Sequence, residues 1–173
     1  MNTNGVSDYL VVGAGAMGMA FTDVLMTETE ATVTIVDRHG RPGGHWNDSY
    51  PFVRLHQPSS FYGVNSRALG VNQKDSIGLN AGLYELASGS EVVTYFEQVM
   101  NQQFLPTGRV TYLPMCEYLG NGSVRNLVSG VEKTIEAEKT VDATYMNVTV
   151  PSVTTPNYTV SQGVTCIPPN GLL

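Results

Sequence analysis

The sequence predicts an α/β fold built on a βαβ unit, and three observations carry that expectation. An apolar run, Tyr9 to Val12, leads directly into Gly13-Ala14-Gly15-Ala16-Met17-Gly18. A helical stretch follows, and a second apolar run ends in Asp37, about 20 positions beyond the glycines. Later, a series of strand-like segments punctuated by turn signals replaces the helical period.

The first elements are a strand at about Tyr9 to Val12, a helix at about Ala16 to Glu28 and a strand at about Thr32 to Val36. The glycine spacing between the first two has a mechanism. Gly13 permits the tight turn out of the strand, Gly15 lets the backbone approach a pyrophosphate, and Gly18 lets the helix pack closely on the sheet. Phosphates then meet the unpaired N–H groups and the positive dipole end of the helix. Asp37 at the end of the second strand is placed to accept hydrogen bonds from both hydroxyls of an adenosine ribose, which disfavours a 2′-phosphate. Arg38 beside it points the other way, since an arginine here accommodates such a phosphate. The competing reading is a glycine-rich turn in an ordinary α/β protein.

A long irregular region, 38–89, comes next, and a loop of that length belongs in a compact domain only when it is functional, so it is expected to face a ligand. Ser88-Gly89-Ser90-Glu91 reads as a capping box. Val93, Phe96, Met100 and Phe104 then fall on one face, which predicts a helix from about Glu91 to Phe104, ended by Pro106 and Gly108. Strand-like segments follow at Val110 to Leu113, Met115 to Leu119, Val124 to Ser129, Val131 to Glu136 and Thr140 to Thr144. Asn121-Gly122 is a hairpin-turn signal, so a small antiparallel meander is expected before the last apolar strand. From Val150 onward four prolines and no sustained period leave no assignable element.

The chain's 173 residues suffice for one domain with a sizeable core, and 42% hydrophobic against 14% charged residues is a globular composition. A formal net charge of −6, with the acidic residues dispersed, provides no basic footprint for nucleic acid or an anionic membrane. Cys116 and Cys166 are too few for a disulfide framework, and the start of the chain has neither a basic leader nor an unbroken apolar span; a cytoplasmic setting is expected. His39, His45 and His56 do not fall at metal-ligand spacing, so no metal site is expected.

Immediately after the second strand stand Arg41-Pro42-Gly43-Gly44-His45-Trp46 and then Tyr50-Pro51-Phe52-Val53-Arg54-Leu55-His56-Gln57-Pro58, where a plain nicotinamide-binding unit would start its next helix. This order resembles the FAD-binding half of flavin-dependent monooxygenases and related oxidoreductases, in which Gly-Gly-x-Trp follows the acidic residue and an Arg-Leu-x-x-Pro-like segment runs beside the flavin. Val141-Asp142-Ala143-Thr144-Tyr145 is similar to the family's late strand, with Tyr145 where the family carries glycine. The resemblance spans about Tyr9 to Thr144. It implies a Rossmann-like FAD-binding βαβ core with a parallel sheet and a small antiparallel β-meander over 1–150, and an irregular tail, 151–173, expected to be the truncated continuation of a longer enzyme, the alternative being a reduced flavin-domain protein.

On this resemblance the cofactor is FAD, held by Gly13, Ala14, Gly15, Ala16, Met17, Gly18, Asp37 and Arg38. Gly43 and Gly44 would pass close to the diphosphate, Trp46 would offer a stacking or shielding face, and His45, His56 and Gln57 would hydrogen-bond the isoalloxazine rim or a small-molecule substrate. Backbone near Cys116 would read the adenine edge, with the thiol itself a packed small group, and Ala143 and Thr144 would close the site. Two readings compete with a flavoprotein oxidoreductase module: an NAD- or NADP-dependent dehydrogenase or reductase, and a nucleotide-binding module without catalysis. No second Gly-x-Gly-x-x-Gly occurs between Gly40 and Leu173, so this chain alone is not expected to complete an NADPH-driven monooxygenation.

Overall fold

The computed structural model describes residues 6–144, 146 and 154–172. Tyr145 and the domain boundary expected near position 150 lie outside the described residues. The opening unit comprises β1 (Ser7–Val12), α1 (Ala16–Glu28) and β2 (Val33–Val36). Then come β3 (Gly63–Val64), β4 (Arg67–Ala68), α2 (Gly89–Val99), β5 (Val110–Leu113), β6 (Cys116–Gly120), β7 (Ser123–Asn126), β8 (Glu132–Thr134) and β9 (Ala137–Asp142).

Four strands form a parallel sheet in the order β5-β2-β1-β9, with Val12 opposite both Val36 and Asp142. Side-chain alternation gives this sheet two apolar faces. Val11, Val33, Ile35 and Val110 point into the main core with Met19 and Leu25 of α1 and Val92, Phe96 and Val99 of α2, while Leu10 and Val36 point to a smaller core with Cys116 and Val124 of the meander. The chain moves outward from β1 through β2 to β5 and returns on the opposite side of β1 as β9, so the sheet's switch point lies between β1 and β9. Grooves at the carboxyl ends of strands beside such a point are where open α/β sheets bind ligands.

Local chemistry explains the elements. Ser88 Oγ accepts from Glu91 N–H while the Glu91 carboxylate accepts from Ser88 N–H at 2.7 Å, the reciprocal capping box that starts α2. The Ser88 hydroxyl also donates to that carboxylate at 2.7 Å, and this bond, then the one from Ser88 N–H, holds the Glu91 carboxyl below the usual carboxylate range. All four apolar residues of the expected face, Val93, Phe96, Met100 and Phe104, are buried. The helix is α-helical only to Val99 and continues as a wider π-turn over Met100–Phe104, before the Pro106-containing turn and a left-handed Gly108 cap. Asn121 and Gly122, with φ of 50° and 78°, make the primed turn of the β6–β7 hairpin. Arg109 closes the far end of α1: its guanidinium donates to the carbonyls of Met26 at 2.8 Å and Thr29 at 2.6 Å.

Two assignments made from sequence change in the folded chain. Val110–Leu113, contiguous in sequence with the meander, joins the parallel sheet beside β2, and the meander is β6-β7-β8 alone. The last strand runs from Ala137 to Asp142, not from 140 to 144. Its residues 137–139 are polar or small, because pairing with β1 supplies what apolar character does not.

The 38–89 region is irregular only in part. It contains one-turn 3-10 segments at Gly44–Asp48 and Ser59–Phe61 and the β3–β4 hairpin. Polar side chains on the helices pin it down. Asp23 of α1 accepts from the Ser66 backbone N–H and hydroxyl, and Tyr95 of α2 accepts from Val64 N–H at 2.8 Å while donating to Arg67 C=O at 2.6 Å. Tyr95→Phe removes the hydroxyl that accepts from the buried Val64 N–H and donates to Arg67 C=O, and is expected to lower stability by about 1–3 kcal/mol in urea denaturation, with no change in nucleotide binding.

Candidate functional site

At the carboxyl ends of β1, β2 and β9 lies a cleft of about 490 Å³. Its floor is the first glycine turn. Gly13 adopts φ +101°, which strains any larger residue, donates its N–H to Val36 C=O at 2.8 Å, and lies where an added Cβ would crowd Thr144 Cγ2 at 3.0 Å. Helix α1 starts at Gly15 with no side-chain cap and no acidic residue in its first turn, so its N-terminal N–H groups and dipole face the cleft without an internal anion. Gly18 belongs to the packing behind that floor. A Cβ there would stand 1.9 Å from Gly13 O and 3.3 Å from Ala143 Cβ.

The second glycine turn packs directly on the first. Gly43 N–H donates to Ala14 C=O at 2.8 Å, Gly43 and Gly44 have φ of +126° and +56°, and a Cβ on Gly44 would lie 2.9 Å from Gly15 Cα. Backbone therefore meets backbone where both turns line the cleft. This contact explains why two separated glycine pairs occur in the sequence.

Asp37, 6% exposed, closes the end of β2. Its Oδ2 accepts from Ala14 N–H at 2.6 Å, and its Oδ1 accepts from His39 N–H at 2.7 Å with His39 Nδ1 at 2.9 Å. A carboxylate has about four lone-pair positions, so these bonds leave about one for a ribose hydroxyl, not the pair expected from the sequence. The other ring nitrogen of His39, Nε2, is 3.0 Å from Asp48 Oδ2. The hydrogen bond to Asp37 raises the His39 pKa, reinforced by Asp48 and opposed by burial. His45 shifts the opposite way: desolvation of its ring, stacked on Trp46 at 5.5 Å, lowers its pKa. Across the cleft stand Cys116, Glu117 and Tyr118 of β6. Cys116 is buried, and its backbone N–H donates to Asp37 C=O at 2.9 Å. On the β9 side, Asp142 accepts from the Thr144 hydroxyl at 2.6 Å and from its N–H at 2.8 Å, which lowers the Asp142 pKa and shapes the rim.

Of the residues singled out from sequence, Gly13, Gly15, Ala16, Met17, Asp37, Arg38, Gly44, His45, Cys116, Ala143 and Thr144 line this cleft. Ala14 and Gly18 act just behind it, through the bond to Asp37 and the helix contact. Trp46 is set elsewhere: it packs against the main core and donates its indole N–H to Tyr62 OH at 2.7 Å, fastening the loop rather than facing the cleft. His56 and Gln57 are not among the lining residues either; His56 is exposed on the loop beyond Leu55. Glu117, in the segment expected to pass the adenine, also lines the cleft, whereas His39, Asp48 and Tyr118 line it without having been foreseen. Only for His39 was there a signal in the sequence, its position two residues past Asp37, within reach of a local side-chain bond. Among the described residues, no group of three or more His, Cys, Asp or Glu side chains is placed to hold a metal ion, and no helix is long and apolar enough to cross a membrane.

Parallel sheet, helix layer and glycine-floored cleft define a Rossmann-like α/β fold of the nucleotide-binding class. Residues 11–62 match the family model described as NAD(P)-binding Rossmann-like domain. Uncharacterized proteins of Mycobacterium bovis and Mycobacterium tuberculosis are each 57% identical over 167 residues, covering 96% of this chain. The chain spans about a third, 31%, of the length of these relatives. A mutant of the flavin monooxygenase from Stenotrophomonas maltophilia superposes with a TM-score of 0.55 at 18% identity, covering 79% of this chain and 37% of that one. Cyclohexanone monooxygenase bound to ε-caprolactone superposes with a TM-score of 0.53 at 20% identity, covering 88% and 29%. The fold is thus the one that about a third of each of these two monooxygenase chains adopts.

Proposed function

We propose that this chain is the FAD-holding part of a flavoprotein oxidoreductase of the monooxygenase type, acting on a small-molecule substrate. The contact of Gly15 with Gly44 carries the reading. It builds a cradle that any Cβ on Gly44 would obstruct, at an uncapped helix N-terminus beside a buried acidic residue, and this suits the diphosphate of a dinucleotide. The structural likeness to flavin monooxygenases favours FAD over other dinucleotides. The match of residues 11–62 to an NAD(P)-binding model supports the second reading, NAD or NADP in the same cleft.

The chain's own residues have distinct parts in this proposal. The α1 N-terminus at Gly15, Ala16 and Met17 would hold the diphosphate, Asp37 one ribose hydroxyl, and Cys116 to Tyr118 the adenine side. Gly44, His45 and Thr144 would bound the opposite part of the cleft. Bound flavin supplies the redox chemistry, while the protein orients it and limits water access. The oxidoreductase activity is proposed of the longer protein, since the relatives are about three times the length of this chain.

Calorimetric titration of the apo-protein with FAD, NAD and NADP tests this. FAD is expected to bind at least about tenfold tighter than either nicotinamide, a difference of about 1.4 kcal/mol. Tighter binding of NAD or NADP would replace the FAD reading with the second one.

A further inference from the structure

We propose that His39 is a positioning residue of the cleft: a doubly hydrogen-bonded imidazolium that ties the Asp37 carboxylate to the turn carrying Gly44, so that dinucleotide binding weakens as the ring loses its proton. The inference rests on the cleft being a dinucleotide site.

The geometry requires two donors on one ring. Nδ1 is 2.9 Å from Asp37 Oδ1 and Nε2 is 3.0 Å from Asp48 Oδ2, and both partners are carboxylates that accept when ionised. A neutral imidazole has one N–H and one lone pair. On deprotonation, one of the two carboxylates therefore faces a lone pair, and that bond is replaced by repulsion. The bond to Asp37 fixes the carboxylate that also holds Ala14 N–H of the first glycine turn. The bond to Asp48 anchors the end of the Gly44–Asp48 turn, which places Gly44 on Gly15. His39, with 16% of its side chain exposed, bridges both walls of the cleft.

A second effect has the same sign. With the ring protonated, the Asp37-His39-Asp48 group carries one net negative charge; deprotonated, it carries two, beside the place an anionic diphosphate would occupy. The other groups around the ring do not reverse this. His45, on the same turn as Asp48, is kept below its ordinary value first by desolvation, and the His39 charge adds to that. Tyr112 of β5 lies behind Asp37 with its pKa raised by burial, then by Asp37 and Glu97. Arg38 and Glu117 line the cleft with opposite charges. The sign with pH follows from the direction of the His39 shift. Its folded pKa is raised above the ordinary 6.5, so the clasp is fully formed below that value and is lost as pH rises through the raised one.

FAD is titrated into the wild-type chain and into His39→Gln, Asp48→Asn and His45→Gln at a series of pH values between 6 and 8.5. The wild-type Kd is expected to rise about tenfold across the series. His39→Gln, with a single donor nitrogen that cannot reach both carboxylates and no titrating ring, is expected to bind more weakly at pH 6 and to vary less than about twofold. Asp48→Asn keeps an acceptor for Nε2 but removes its charge, and moves the wild-type midpoint to lower pH. His45→Gln retains the wild-type pH dependence whatever its absolute affinity. Nitrogen NMR of the wild-type chain without nucleotide reads the clasp independently, with both His39 ring N–H groups present at pH 6 and one lost at a midpoint above 6.5. FAD binding whose pH dependence is the same in wild type and His39→Gln, or a His39 midpoint at or below 6.5, overturns the positioning role while leaving the nucleotide site standing. Absence of FAD binding at every pH overturns the functional reading and the positioning role together.

Discussion

Gly18→Ala is expected to unfold the first βαβ unit, whereas Gly15→Ala, three residues earlier, leaves the fold intact and impairs the site. At Gly18 the added Cβ would sit 1.9 Å from Gly13 O, a backbone atom held by the turn's own bond from Gly13 N–H to Val36 C=O, and 3.3 Å from Ala143 Cβ on the β9 side. Neither neighbour is the flexible end of a side chain, so α1 must move off the sheet and lose part of the contact that buries Met19 and Leu25. A loss of about 3 kcal/mol or more is expected, at or beyond the top of the usual range for overpacked cores. At Gly15 the φ of −78° is open to alanine and the nearest foreign atom to its Cβ, Gly44 Cα, is 3.5 Å away, an ordinary contact. Stability should change by no more than about 1 kcal/mol, while the methyl group narrows the cradle between the two glycine turns. Urea denaturation and FAD titration of the two variants separate the effects. Equal stability of Gly18→Ala and wild type would overturn the packing role assigned to this glycine.

Asp37→Ala carries the second large effect. From the sequence, the expectation is a loss of nucleotide affinity with the fold preserved, because Asp37 reads as a ribose acceptor alone. In the folded chain the same carboxylate is the acceptor for Ala14 N–H, His39 N–H and His39 Nδ1. Truncation leaves these donors unpaired in a site 6% exposed, at about 1–3 kcal/mol for each buried one, so a stability loss of about 3 kcal/mol or more accompanies the loss of binding. Asp37→Asn is expected to be intermediate, since one amide oxygen still accepts but the amide nitrogen confronts a donor. Chemical denaturation of both variants, followed by FAD titration of whichever remains folded, measures the two contributions. A fully stable Asp37→Ala would mean that the carboxylate does not hold the glycine turn.

What the sequence by itself determined are features whose causes lie within a few residues of one another. The strand-turn-helix at Tyr9 to Glu28 follows from apolar periodicity and glycine spacing, the start of α2 from the Ser88–Glu91 box, and the β6–β7 hairpin from Asn121-Gly122. The buried face of Val93, Phe96, Met100 and Phe104 was legible for the same reason: helical geometry fixes which residues share a face before anything packs on it. Tertiary structure decided what depends on residues far apart in the chain. It placed Val110–Leu113 in the parallel sheet, because pairing with β2 satisfies its backbone where the adjacent meander does not. Trp46 went to the core rather than the cleft because Tyr62, itself packed edge-on to Phe96 of α2, meets its ring there. The Asp37-His39-Asp48 clasp and the Gly15–Gly44 contact likewise exist only once β2 and the Gly44–Asp48 turn converge on the start of α1. Periodicity and turn chemistry act along the chain, whereas a binding cleft is made by segments that meet across it, and the partner each side chain finds there is set by the assembled sheet.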